Sequence, residues 1–178
     1  MKPRELIFDG DVAYVPLTRG HYATIDAEDA PLVEGSNWCA MSEKARMHYA
    51  VRTRLLSNGE FQTIFMHRLI AQAYSGTIVD HVNHDPIDNR KTNLRLCSYT
   101  ENGQNSRKKT PGKSNLKGVC WHNQKEKWFA RITVNKKQIY LGLYDTEEEA
   151  HKAYCEASEQ MHKEYGCTVS YNQKNSVT

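Results

Sequence analysis

Apolar and polar positions alternate in short bursts over the first 62 residues. Residues 12–17, 22–25, 49–54 and 61–65 are rich in β-branched or aromatic side chains and predict strands, with Ser57-Asn58-Gly59 as a turn before the last. The run Asp26-Ala-Glu-Asp29 predicts a short helix reaching Val33 and ending near Gly35. The period then changes. Leu69, Ile70 and Ala73 fall on one face of a helix expected over 66–74. A strand is expected over 77–82, a loop with a helical turn over 86–96, and a second short helix over 100–107.

Residues 106–115 (SRKKTPGKSN) interrupt this pattern with a polar, basic stretch around Pro111-Gly112, the composition of a linker. Beyond it, residues 118–122, 128–134 and 138–143 return to strand-like alternation, with Asn135-Lys136-Lys137 turning the second into the third. Thr146-Glu-Glu-Glu149 then opens a long amphipathic helix, with a Thr cap and an acidic first turn that suits the helix dipole. Ala150, Ala153, Tyr154, Ala157 and Met161 form its packing stripe. Three strands and a helix make a small independent unit. The organisation expected is a β-rich segment over 1–62, a core over 63–107, a basic linker over 108–115, a sheet-and-helix module over 116–166 and a tail over 167–178, frayed from 171 onward.

Composition changes the picture in two places. The net charge is only +3, but its distribution is uneven. From Ser106 to Lys117 there are five basic residues and no acid; residues 116–144 hold six basic residues against Glu126; residues 145–164 hold seven acids against two lysines. A basic surface followed by an acidic helix suits a module that turns one face toward phosphates. The five cysteines (Cys39, Cys97, Cys120, Cys155, Cys167) form no Cys-x-x-Cys pair, which argues against a zinc ribbon and suits reduced thiols. No run approaches the roughly 20 apolar residues of a membrane span, and the N-terminus lacks a signal-peptide core, so an intracellular, cytoplasmic setting is expected.

The candidate chemistry is concentrated in Asp80-His81-Val-Asn83-His84-Asp85-Pro-Ile-Asp88-Asn89-Arg90-Lys-Thr-Asn93-Leu94-Arg95, followed by Glu101-Asn102-x-x-Asn105. A strand ending in adjacent Asp and His turns the two side chains to opposite sides, so that a carboxylate can hold a metal while an imidazole faces a water. Oxygen ligands favour a hard cation such as Mg²⁺, which can clamp a scissile phosphate. Neutral imidazole is a suitable base near neutral pH.

This stretch resembles the HNH endonuclease motif, in the branch of phage and intron-borne nucleases with His67-Arg68-Leu69-Ile70 upstream. The resemblance implies a ββα-metal core around one divalent ion, Mg²⁺ or Mn²⁺. It implies that His81 is the general base, that Asp80 is a metal ligand, and that Asn93 braces the loop between the strands. The final metal-binding position of the branch falls on Asn102, with Asn105 one turn later as the competitor. His84 is expected in the inter-strand loop and not on the metal; Asp85 and Asp88 are expected to brace the turn and cap a helix. His67 either supports the site or touches a phosphate. Arg68, Arg90, Arg95 and Arg107 are usable phosphate contacts, as are Lys108 and Lys109 of the linker.

Downstream, Leu116-Lys117-Gly118-Val119-x-Trp121, Lys127-Trp128-x-Ala130-Arg131-Ile132 and Tyr140-Leu141-Gly142-x-Tyr144-x-Thr146-x-Glu-Glu149-Ala150-x-x-Ala153-Tyr154 resemble the AP2 domain. That family's fold implies a three-stranded antiparallel sheet on one helix, with the sheet entering the major groove. By alternation Ala130, Ile132 and Val134 face the helix while Arg131 and Thr133 face DNA. Lys117, His122, Gln138 and Tyr140 match the family's contact positions but depart from its usual arginine and tryptophan, so no base preference carries over. Trp121 and Trp128 either stack on sugar or anchor the sheet, with Trp128 expected to be buried.

The fold class expected is therefore α+β: a ββα-metal HNH core, a small β-rich lead and an AP2-like sheet on one helix. The function expected is metal-dependent hydrolysis of phosphodiester bonds in double-stranded DNA, of phage or homing type. A single site in one chain implies a nick in one strand by a monomer. The competing class is a DNA-binding regulator whose HNH core is inactive.

Overall fold

A computed structural model describes residues 2–43, 47–106 and 113–166. The chain divides into two compact units, Met1–Ser98 and Tyr99–Thr178, and its element mix is α+β.

The first unit begins with strands whose burial follows a two-residue period. β1 (Ile7–Asp9), β2 (Val12–Pro16) and β3 (Tyr22–Asp26) pair antiparallel in that order, and Ala13, Val15, Ala23 and Ile25 are buried while their neighbours are not. A 3₁₀ turn (Ala27–Asp29) and the short helix α1 (Ala30–Val33) follow. Trp38 is fully buried beneath them, its indole N–H donating to the Val33 carbonyl at 2.9 Å. β4 (Cys39–Glu43), β5 (Met47–Leu55) and β6 (Phe61–Phe65) form a second antiparallel sheet, and helix α2 (Met66–Ile70) leaves its last strand. β7 (Ile78–His81) and β8 (Leu94–Cys97) make a two-stranded ribbon that pairs Asp80 with Arg95 and His81 with Leu94. One apolar cluster joins Val15, Ile25, Trp38 and Ala50 to Met66 and Ile70 of α2, with Ile87 and Leu94 packed on it. The β-rich lead therefore shares its core with the segment that carries the candidate chemistry.

Three expectations need correction. β1 and β4 are additional strands, because neither carries a run of β-branched residues that marks a strand by composition. The helix expected over 66–74 stops at Ile70: Gln72 takes a left-handed φ of +48°, and the Arg68 guanidinium donates to the carbonyls of Thr77 (2.6 Å) and Tyr74 (2.9 Å), fixing the chain as it leaves the helix. The stretch 86–96 contains only a 3₁₀ turn (Lys91–Asn93) before β8 takes over, because Leu94 is drawn into pairing with His81.

The second unit opens with helix α3 (Tyr99–Asn105). Strands β9 (Val119–His122), β10 (Lys127–Val134) and β11 (Lys137–Tyr144) form an antiparallel sheet in the order β11-β10-β9, covered by helix α4 (Glu147–His162). Asn135 and Lys136, both at positive φ (+49° and +65°), make the two-residue connection between β10 and β11. Thr146 Oγ1 accepts from the Glu149 N–H and the Glu149 carboxylate accepts from the Thr146 N–H, both at 3.2 Å, closing a capping box. Val119, Ala130, Ile132, Ala150, Tyr154 and Ala157 are the buried residues between sheet and helix. Among the described residues no helix is long and apolar enough to cross a membrane, and Cys39, Cys97, Cys120 and Cys155 are free thiols. Cys167 and the tail from residue 167 lie outside the described residues, as do Arg107, Lys108 and Lys109.

Candidate active site and nucleic-acid interface

β7 delivers Asp80 and His81 as adjacent residues on opposite faces of the ribbon. On one face the Asp80 carboxylate accepts from Arg95 directly across the strands, with Oδ2 at 3.0 Å from Nε and 2.7 Å from Nη2. On the other face His81 is buried among aromatic rings. Its imidazole lies 5.1 Å from that of His67, edge-on, and 6.3 Å from the Tyr49 ring; His67 in turn lies 5.5 Å from both Tyr49 and Phe65. Burial pushes the His81 pKa below its ordinary 6.5, against opposing contributions from the Asn89 hydrogen bond and the carboxylates of Asp80, Asp85 and Asp88. Burial, with the positive ends of His81 and Arg68 nearby, pushes His67 down to about 3. Near neutral pH the site therefore holds two uncharged imidazoles.

The loop between β7 and β8 is tied by amide side chains. The Asn93 Oδ1 accepts from the Asn83 N–H (2.9 Å), and its Nδ2 donates to the Asp88 carbonyl (2.7 Å). Asn83 Nδ2 donates to Asp88 Oδ2 (2.9 Å), and the Asp85 carboxylate accepts from the Ile87 N–H (3.2 Å). His84 sits in this loop at φ +62°. Arg90 forms a two-pronged contact with Asp88 (2.8 and 2.7 Å); although burial opposes ionisation there, these contacts hold the Asp88 carboxyl below its ordinary range. The guanidinium groups of Arg68, Arg90 and Arg95 thus each have a protein partner: two carbonyls, Asp88 and Asp80. Asn89 received no role from the sequence. It is fully buried, and its Oδ1 lies 3.3 Å from His81 Nε2. Its neighbours in a dense Asp-Asn-Arg string gave no signal that this amide, among several, reaches the imidazole.

For a divalent ion, the oxygen donor offered by β7 is the buried Asp80 carboxylate, which Arg95 engages, while the Nδ1 of His67, on the other face, is buried and without a hydrogen-bond partner. Among the described residues no three His, Cys, Asp or Glu side chains cluster as a ready cage. A carboxylate oxygen such as that of Asp80 is the donor type that a hard cation of the Mg²⁺ kind takes. Asn102 and Asn105 lie on α3, in the second unit.

The second unit presents a distinct surface. Alternation along β10 buries Ala130 and Ile132 and exposes Arg131 and Thr133. Cross-strand register places His122 opposite Lys127, Tyr140 opposite Arg131 and Gln138 opposite Thr133, so His122, Arg131, Thr133, Gln138 and Tyr140 share the face away from α4. Arg131 donates to Gln138 Oε1 (3.2 Å). Phe129, not anticipated as a contact, sits at the centre of this face, with His122, Tyr140 and the Arg131 guanidinium 5.8–6.5 Å from its ring. Trp121 pairs with Trp128 and packs edge-on against it at 4.9 Å, on the helix side of the sheet, with the Lys113 ammonium over its ring. Lys117 donates to the Gln104 carbonyl at 2.5 Å.

Residues 65–104 match the family model described as HNH endonuclease, and this segment contains Asp80, His81, Asn93 and Asn102. Residues 114–164 match the AP2 domain. Protein 3.8 of Escherichia phage T7 is 29% identical over 86 residues, covering 43% of this chain and 71% of that protein. No solved structure matches. The chain thus joins an HNH endonuclease segment, which points to nuclease activity, to an AP2 domain, which points to DNA binding.

Proposed function

We propose that this protein is a divalent-metal-dependent DNA endonuclease of the ββα-metal class that nicks one strand of duplex DNA, with its catalytic ribbon built on β7 and β8. The observation that carries the reading is the Asp80–His81 pair: a buried carboxylate and a neutral imidazole at the end of one strand, turned to opposite faces. His81 takes a proton from water, and the resulting hydroxide attacks phosphorus in line. Asp80 would hold the ion, Mg²⁺ or Mn²⁺, and the family resemblance implies Asn102 as its second ligand; such an ion would polarise the phosphate and stabilise the leaving 3′ oxygen. Arg95 holds the Asp80 carboxylate in place across the strands. Asn93 holds the loop behind His81.

Binding free energy and register come from the AP2 sheet. His122, Arg131, Thr133, Gln138 and Tyr140 form the groove-facing set, joined by Lys117 and by Lys108 and Lys109 of the basic segment. Arg68, Arg90, Arg95 and Arg107 are further candidate contacts, of which the first three must exchange or share their present partners to reach a phosphate; Asn105, which is buried, and Trp121, which lies on the helix side of the sheet, are not on the groove-facing set.

The test is nicking of supercoiled plasmid in Mg²⁺, with and without chelator. Wild type should convert the plasmid to open circle, chelator should stop it, and His81→Ala should lose at least ~100-fold in rate while binding duplex DNA with nearly unchanged affinity. If His81→Ala cuts at the normal rate, the base is misassigned.

A further inference from the structure

We infer that Asn89 is a positioning residue that fixes the tautomer of His81, and that the N-terminal strand β3 is the mount on which Asn89 is held. The meaning of His81 as a base rests on the nuclease reading above; the geometry does not.

The amide of Asn89 has only one workable orientation. Its Nδ2 donates to the Ile87 carbonyl at 3.1 Å and faces the Met66 thioether sulfur at 3.6 Å. Turning the amide over would set its carbonyl oxygen against the Ile87 carbonyl, two acceptors in a site closed to water. Oδ1 must therefore be the atom facing His81, 3.3 Å from Nε2. A carbonyl oxygen can only accept, so Nε2 carries the proton and the imidazole lone pair resides on Nδ1. A neutral histidine in solution exchanges between two tautomers; here one of them is selected before substrate arrives.

Asn89 is held by a segment distant in sequence. The Thr24 N–H donates to the Ile87 carbonyl (2.8 Å) and the Asn89 N–H donates to the Thr24 carbonyl (2.7 Å), so β3 grips the loop on both sides of the residue. One step further, Asp26 Oδ2 accepts from the Lys91 N–H at 2.7 Å. The Lys91 ammonium is clamped between Glu28 (2.7 Å) and Asp29 (2.8 Å). Asp29 is buried, and its other carboxylate oxygen has no hydrogen-bond partner, so Lys91 is what compensates its charge. The chain of contacts runs from β3 through the Ile87–Lys91 backbone to the Asn89 amide and on to His81. On this account the β-rich lead belongs to the catalytic apparatus, as its support.

The experiment uses the full chain, with nitrogen-15 in its histidines. In wild type at pH 7.5 the His81 ring should be neutral and protonated at Nε2. Asn89→Leu, close in size but without an acceptor, should show both tautomers and lose ~10–100-fold in kcat, with DNA affinity within ~3-fold of wild type. Lys91→Met, which loosens the mount from outside the site, should lower kcat without weakening DNA binding. A wild-type ring protonated at Nδ1 overturns the inference, as does an Asn89→Leu protein with unchanged tautomer and kcat. Should Asn89→Leu fail to fold, the wild-type tautomer and the kcat of Lys91→Met decide: a ring protonated at Nδ1, or an unchanged kcat, overturns the inference. If wild type shows the Nε2–H form, Asn89→Leu loses it and neither protein cuts DNA, the positioning stands and the nuclease reading fails.

Discussion

At the scale of single residues the tightest constraint in the second unit is Gly118. It sits at φ +78°, and a Cβ there would lie 2.0 Å from the Tyr154 ring carbon Cδ2, so neither backbone nor neighbour has room. Tyr154 is itself buried between sheet and α4 and cannot retreat. Gly118→Ala should therefore destabilise the AP2 unit by roughly 3 kcal/mol or more, by strain and overpacking together, seen as a lowered midpoint in urea. An unchanged midpoint would mean that the ring yields. In the first unit the corresponding residue is His67. Its folded pKa of about 3 lies below its ordinary 6.5, so as pH falls through 6.5 an unfolded chain binds a proton that the folded chain refuses. Its contribution to stability is whole above about 6.5 and is lost progressively toward about 3, at up to roughly 1.4 kcal/mol per pH unit. Urea melts between about pH 7 and about pH 4.5 should show that slope, and His67→Phe should flatten it. Equal slopes in the two proteins would show that another group governs the acid limb.

At the scale of elements, those with strong local signals were legible. The α4 cap, its acidic first turn and its apolar stripe as far as Ala157 were readable because capping and amphipathicity are properties of neighbours in sequence, whereas Met161, expected on the same stripe, is exposed. Thr146→Ala removes one half of the capping box and should cost about 1 kcal/mol, roughly 4–8 °C in the melting temperature of a unit this small. A shift below about 1 °C would mean that packing on the sheet alone holds the helix start. The β10–β11 turn was legible too, since Asn-Lys-Lys between alternating strands marks a hairpin. The end of α2 was not. Leu69, Ile70 and Ala73 keep helical spacing past the point where the helix stops, and the Arg68 contacts that fix the exit depend on residues up to nine positions away. β8 was hidden for the same reason: Leu94 and Leu96 become strand only by pairing with β7.

At the scale of the whole molecule, the chain carries an HNH segment and an AP2 domain, and the proposed function gives chemistry to the first and binding to the second. Deleting residues 113–178 should weaken binding to duplex DNA by about 10-fold or more in moderate salt. It should also reduce the slope of log affinity against log salt by roughly 0.9 for every phosphate that the deleted segment neutralises in the full chain. Equal affinity and slope in the shortened chain would show that the AP2 face is not the anchor. The N-terminal segment had no assignable role in sequence, because nothing in its alternating pattern says what its edge will touch. Its shared core with Met66, Ile70 and Leu94, and its grip on Ile87–Lys91, exist only once the strands have packed.

The residues by themselves determined which functional groups stand close together along the chain. Asp80-His81, the amide-rich loop and the alternating face of β10 are matters of residue type and short spacing, and these survive any arrangement of the rest of the chain. Tertiary structure decided which side chains meet. It sent Asn89, not one of the other amides in the same string, to the His81 ring, and it gave Arg95 to Asp80. It turned Trp121 toward the helix side and set Phe129 at the centre of the opposite face. The physical reason is that a hydrogen bond or a ring contact depends on distance and direction between groups, and those are fixed by strand register and core packing between segments far apart in sequence.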